Sequence, residues 1–325
     1  MGPRLGLVLV GCALALGCGG DDDPKGSPSG TGGSGGAAGG SGGGAGAGGS
    51  GAQSGCGQAA PATGKRTLTF GGAERWFVLH LPPSYDPSQP TPLVLNFHGR
   101  TAETFGEAAP LQQSLSKLPA KADAAGFILV APQGLKDPDG NQTWNAGLCC
   151  AADKSRDDVG FVDAILDQLE SELCVDASRV FATGLSNGGF MSHRLACERA
   201  ERIAAVAPVA AYNGMTSCAP SRPISLIAFN GTADVLVSHA IALEHSAAWA
   251  TRNGCDASAA QTFSNGDSTC QTYSGCDGGA EVVQCSVDDG GHTWPGGIDL
   301  PGFGKTTQDL LANDAMWEFF QKHPL

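Results

Sequence analysis

Residues 180–191 read VFATGLSNGGFM, and the fold turns on them. Val180 to Thr183 is a short apolar run of the kind found in a buried strand. From Asn187 to Arg199 the pattern is helical. Between the two lies Gly184-Leu185-Ser186-Asn187-Gly188, a G-x-S-x-G motif in the strand–turn–helix context that it requires. The physical reason is steric. A strand that reverses sharply into a helix holds the serine in a strained conformation at the tip, and glycines two before and two after leave room for that approach. The Ser186 hydroxyl is then exposed at the C-terminal edge of a sheet, beside a helix N-terminus that favours developing negative charge. A bare G-x-S-x-G means little in a chain with 49 glycines; the flanking elements make Ser186 a nucleophile candidate rather than a plain turn residue.

Outward from this point, strand and helix patterns alternate. Strands are expected at 75–81 (RWFVLHL), 92–98 (PLVLNFH), 127–131 (FILVA), 204–209, 224–230 and 281–287. Several are apolar throughout, the mark of strands covered on both faces. Helices are expected at 157–173, with Asp157 and Asp158 in the first turn, and at 187–199, 239–253 and 306–322. This alternation predicts an α/β class with a mostly parallel central sheet and helices on both faces.

A serine nucleophile needs a base and an orienting acid. Of seven histidines, His292 lies in the loop-like stretch DDGGHTWPGG (288–297), able to reach over a sheet edge. His80 falls in a strand, His193, His239 and His245 on helical patterns and His323 at the C-terminus. Asp234, just past the strand ISLIAFN, gives the chain order Ser…Asp…His; Asp267, Asp288 and Asp289 are its competitors. The oxyanion hole is expected from the Asn187 N–H and from the loop His98-Gly99-Arg100-Thr101, with the Arg100 N–H first and Thr101 second. His98 is expected to shape that loop.

Composition bounds the partners. The net charge is −13, from 19 basic and 32 acidic residues, and no Lys/Arg cluster occurs, so nucleic acid is an unfitting partner. No phosphate loop, dinucleotide fingerprint or metal-ligand spacing appears, and no cofactor is expected. Asn141-Gln142-Thr143 and Asn230-Gly231-Thr232 match the glycosylation sequon and are discounted. Residues 1–18 resemble a signal peptide, with Arg4, an apolar run from Leu5 to Leu16 and then Gly17-Cys18. LALGC resembles a bacterial lipobox with Cys18 as the lipidated residue, although Leu16 stands where a smaller residue is usual; Leu9-Val10-Gly11-Cys12 fits the small-residue pattern better but leaves too short an apolar core before it, and ordinary secretion is the competing reading. Residues 19–55, mostly Gly, Ser and Ala, cannot bury enough apolar area to fold and read as a disordered tether. Residues 56–325 are then one catalytic domain, extracellular or at the cell surface, meeting a membrane only through the lipid anchor. Ten of the twelve cysteines lie within it, as an oxidising compartment allows. A turn at 277–280 would set Cys270 opposite Cys285, leaving Cys255 for Cys276. Cys197 and Cys218 are candidates to bridge across the nucleophile helix. Cys56, Cys149, Cys150 and Cys174 stay unassigned.

GLSNGGFMSHRLAC, HGR after a core strand, DDVGFVDAIL, CVDASRVFATG and GGHTWPGG together resemble an exported esterase group. That group comprises poly(3-hydroxybutyrate) depolymerase-like proteins and feruloyl esterases, carbohydrate esterase family 1. The resemblance implies an α/β-hydrolase fold, a triad of Ser186, Asp234 and His292, and hydrolysis of hydroxycinnamate or acetyl esters on plant polysaccharide. SGCGQ and LPPSYDPSQPTPLVLNFHG are nearer the feruloyl esterase side; a hydroxyalkanoate oligomer is the alternative substrate. Arg100 departs from the family pattern, where a smaller residue is usual, and could narrow or repolarise the acyl site. Trp144 and Trp294 are candidates to flank the cleft and stack on a sugar or phenolic ring, against a packing role. A monomer is expected. A non-catalytic binding protein on a hydrolase scaffold and a peptidase are the readings from other classes.

Overall fold

The computed structural model describes residues 55–325. The readings at Cys18, the signal peptide and nearly all of the tether fall outside them. A ten-stranded sheet carries the domain, formed by β1 (Gly64–Phe70), β2 (Ala73–His80), β3 (Thr91–Phe97), β4 (Ile128–Pro132), β5 (Val175–Leu185), β6 (Ala205–Val209), β7 (Ser225–Gly231), β8 (Ala260–Asn265), β9 (Ser268–Tyr273) and β10 (Val282–Val287). Its order is β1-β2-β4-β3-β5-β6-β7-β10-β9-β8. The six central strands from β4 to β10 are parallel, and antiparallel pairs close each side.

The central strands are apolar throughout because both faces are covered. In β3, Leu93, Leu95 and Phe97 enter one core cluster and Val94 the other; in β4, Ile128 and Val130 oppose Leu129. Successive side chains on a strand point to opposite faces, so unbroken apolar sequence fills two cores at once. Helices α3 (Asp158–Glu172), α4 (Asn187–Glu198) and α5 (His239–Arg252) supply the first core, while α2 (Leu118–Ala125) and α6 (Ala312–Lys322) supply the second, next to α1 (Ala108–Ser116). Phe320 of α6 stacks on Phe181 of β5 at 4.4 Å between ring centroids.

The last helix is shorter than the 306–322 pattern suggests. Residues 305–309 are instead tied as an extended strap: Gly296 N–H donates to the Thr307 carbonyl at 2.9 Å, and Asn265 Nδ2 donates to the Asp309 carbonyl at 2.8 Å. These bonds compete with helical ones, and α6 starts only at Ala312.

Five disulfides join the described cysteines: Cys270–Cys285, Cys255–Cys276, Cys197–Cys218, Cys56–Cys174 and the adjacent pair Cys149–Cys150. Cys270 and Cys285 sit directly opposite in the β9–β10 register. Cys56 is bonded to Cys174, which immediately precedes β5, while Ser186 immediately follows it. The eleven residues between span roughly 36 Å at ~3.3 Å per residue, so the first described residues lie at the sheet edge opposite the serine.

Candidate active site

Ser186 stands between β5 and α4 with φ 55° and ψ −123°. A side chain held there costs on the order of 1–3 kcal/mol, a strain that the surroundings must over-determine. They do: Ser186 N–H donates to the Val209 carbonyl at 2.9 Å, and its own carbonyl accepts from Phe190 N–H at 2.9 Å. A Cβ on Gly188 would overlap the Phe97 carbonyl, which is why that position carries none.

Asp234 and His292 meet at the same edge. The ends of β5, β6, β7 and β10 are in register there, through Leu185–Val209, Val209–Phe229 and Phe229–Cys285. Gly231, which ends β7, lies backbone to backbone against Gly290, so the acid loop and the base loop approach closely. His292 Nδ1 donates to Asp234 Oδ2 at 2.7 Å, with the carboxylate side chain fully buried. Asp234 Oδ1 accepts two backbone N–H groups, from Leu236 at 2.8 Å and Val237 at 2.9 Å. His292 N–H donates to the Phe303 carbonyl at 2.7 Å. The imidazole is therefore fixed in orientation and tautomer, with Nε2 free to take a proton. The competitor carboxylates are engaged elsewhere: Asp267 binds Lys305 and Thr307, and Asp288 Oδ1 accepts from Thr232 Oγ1 at 3.4 Å.

The loop after β3 runs beside the nucleophile, since a Cβ on Gly99 would lie 3.4 Å from that of Ser186. His98 Nδ1 donates to the Gly99 carbonyl at 2.7 Å and Thr101 Oγ1 donates to it at 2.9 Å. In a trans peptide the C=O and the next N–H point in opposite directions. Two donors on the Gly99 carbonyl thus aim the Arg100 N–H the other way. Among the described residues neither that N–H nor the Asn187 N–H has a hydrogen-bond acceptor. The Arg100 guanidinium is paired with Asp139.

Trp144 and Trp294 do not flank a cleft. Both are buried, with 0 % and 2 % of their surface exposed, and neither offers a ring face to a substrate. Trp144 is a tie. Its backbone N–H donates to Asn187 Oδ1 at 2.7 Å, its carbonyl accepts from Asn187 Nδ2 at 3.0 Å, and its indole N–H donates to the His98 carbonyl at 3.0 Å. It therefore links the residue after the nucleophile to the Gly99 loop. Trp294 anchors the base loop, its indole N–H donating to Asn313 Oδ1 at 2.9 Å at the start of α6. Their size signalled apolar contact, which in both cases is the core.

His98 Nε2 accepts the Gly134 N–H at 2.9 Å, so the ring must be neutral to serve both contacts. Burial holds its pKa down at about 4. His193, which accepts the Trp249 indole N–H at 3.1 Å, is pushed to about 3 by burial and by His245 and Arg252. Below an unfolded value of 6.5 the unfolded chain takes up protons that the folded protein refuses. Stability is thus full above pH 6.5 and lost as pH falls toward 4, by on the order of 3 kcal/mol for His98 alone. Urea midpoints at pH 7 and pH 4.5 test this; an equal midpoint at both would refute it.

Sheet order, strand-end serine and buried Asp–His pair define an α/β-hydrolase. A family described as "Putative esterase" matches residues 70–294. Feruloyl esterase C of Emericella nidulans is 34% identical over 272 residues, covering 81% of this chain and 92% of that protein. Feruloyl esterase D of Neurospora crassa is 31% identical, covering 82% and 89%. Among solved structures, acetyl xylan esterase from Aspergillus awamori superposes with a TM-score of 0.57 at 16% identity, over 79% of this chain and 98% of that one. The chain belongs to this esterase family and is a carboxylic ester hydrolase.

Proposed function

We propose that the protein is a serine esterase that releases hydroxycinnamate from plant polysaccharide through an acyl-enzyme. The Asp234–His292 pair at the edge that bears Ser186 carries this reading. His292 Nε2 takes the Ser186 proton, the oxygen attacks the ester carbonyl, and the Arg100 and Asn187 N–H groups receive the oxyanion. The His292 proton passes to the leaving alcohol, and water then releases the acid by the same route in reverse roles. The hydroxycinnamate part rests on similarity to proteins named feruloyl esterases. Five disulfides fit export to an oxidising compartment. The leader over residues 1–18 would provide the route, with a lipid on Cys18 as the membrane attachment and a monomer as the working unit.

Hydrolysis of methyl ferulate beside a 3-hydroxybutyrate oligomer tests the substrate. The expected result is kcat/KM at least about tenfold higher on the ferulate. The reverse preference would replace the reading with polyester hydrolysis, and no turnover of either would favour a binding protein.

A further inference from the structure

We propose that Phe303 is the platform for the leaving alcohol, a sugar ring in the substrate named above. The inference rests on the esterase reading and adds a specificity residue to it.

The side of the site is set by the chemistry. When the tetrahedral intermediate collapses, the C–O bond to the alcohol breaks, the acyl group stays on Ser186, and the alkoxide oxygen takes the proton from His292 Nε2. The leaving alcohol must therefore lie against His292. The oxyanion donors, on Asn187 and the Gly99 loop, belong to the other elements of the site. Whatever surrounds the free side of the imidazole meets the alcohol first.

Phe303 is there. Its ring centroid lies 6.3 Å from that of His292, with the planes tilted by 32°. It is 43 % exposed, and it belongs to neither core cluster. Its backbone is held at both ends. Its N–H donates to the Leu300 carbonyl at 3.1 Å and its carbonyl accepts the His292 N–H at 2.7 Å. Gly302 and Gly304 on either side have φ near 90°, and a Cβ on Gly304 would press on Gly291. The glycines let residues 302–304 lie directly on the base loop, and the one bulky side chain between them stands beside the base. A flat apolar face fixed next to a reacting centre suits the C–H face of a sugar; a methyl leaving group would gain almost nothing from it.

The test compares two esters that share an acyl group and differ in the alcohol: methyl ferulate and feruloyl-arabinose. In the full chain, Phe303→Ala should lower kcat/KM on feruloyl-arabinose about tenfold, mainly through KM, and change methyl ferulate by less than about twofold. Phe303→Trp should retain most of the sugar-ester activity. An equal loss on both esters would make Phe303 a support for His292 and overturn the proposal, as would no loss on either. A wild-type protein that cleaves neither ferulate overturns the acyl-group reading instead. Ethyl acetate against acetylated xylose then decides Phe303 by the same comparison. Thermal midpoints of the variants check that the fold is unchanged.

Discussion

Ser186→Ala is expected to lower kcat by about 10⁶-fold while the protein stays folded. The size of the loss follows from the role. In the proposed mechanism, removing the hydroxyl leaves no acyl-enzyme, and what remains is whatever the oxyanion donors and substrate positioning do for attack by water. The fold should survive because the elbow is held by backbone. The Ser186 N–H bond to Val209 and the carbonyl bond from Phe190 are both available to alanine. Alanine meets the same strain at φ 55° that serine does. The same variant should no longer label with a fluorophosphonate, whereas the wild type labels. A kcat within tenfold of wild type would remove Ser186 from the mechanism. A wild type that does not label would instead point to a binding protein that keeps the triad without using it.

What could be read from residues alone was what depends on near neighbours in the chain. The elbow was legible because strand, glycine, serine and helix are consecutive. The Asp234 and His292 candidates followed from chain order and from their places just past apolar strands. The Cys270–Cys285 pairing was legible because a turn between two strand patterns sets a register. Features that depend on tertiary placement were not. Trp144 and Trp294 carry the same composition signal whether they line a cleft or fill a core, and only burial separates the two. Strand β8 has every residue exposed and no apolar alternation, so nothing in its sequence marked it. Phe303 lies among glycines in a stretch that reads as loop, and its approach to His292 is a contact across 11 residues of chain without a pattern. The aim of the Arg100 N–H depends on which groups hold the Gly99 carbonyl, and no spacing encodes that.

Asp234→Asn is the more searching experiment, because it changes one atom type and leaves the packing alone. In the native protein Oδ2 accepts from His292 Nδ1, and Oδ1 accepts from the N–H groups of Leu236 and Val237. An asparagine has one oxygen and one NH₂ to meet these three donors. Two fixed backbone donors hold the oxygen on the Oδ1 side, so the NH₂ must face the imidazole. His292 then has to accept at Nδ1 and carry its proton on Nε2, the wrong tautomer for taking the Ser186 proton. The expected outcome is a fall in kcat of about 10⁴-fold with KM little changed, and a thermal midpoint close to wild type. Asp234→Ala should behave differently: it strands the buried Val237 N–H and a buried imidazole donor, with the Leu236 N–H only partly buried, so it should also lower stability, by about 1–3 kcal/mol for each buried group left unpaired. A kcat for Asp234→Asn within tenfold of wild type would mean that another carboxylate holds the imidazole in solution. Asp289 and Asp288, three and four residues before His292, would then be the groups to substitute next.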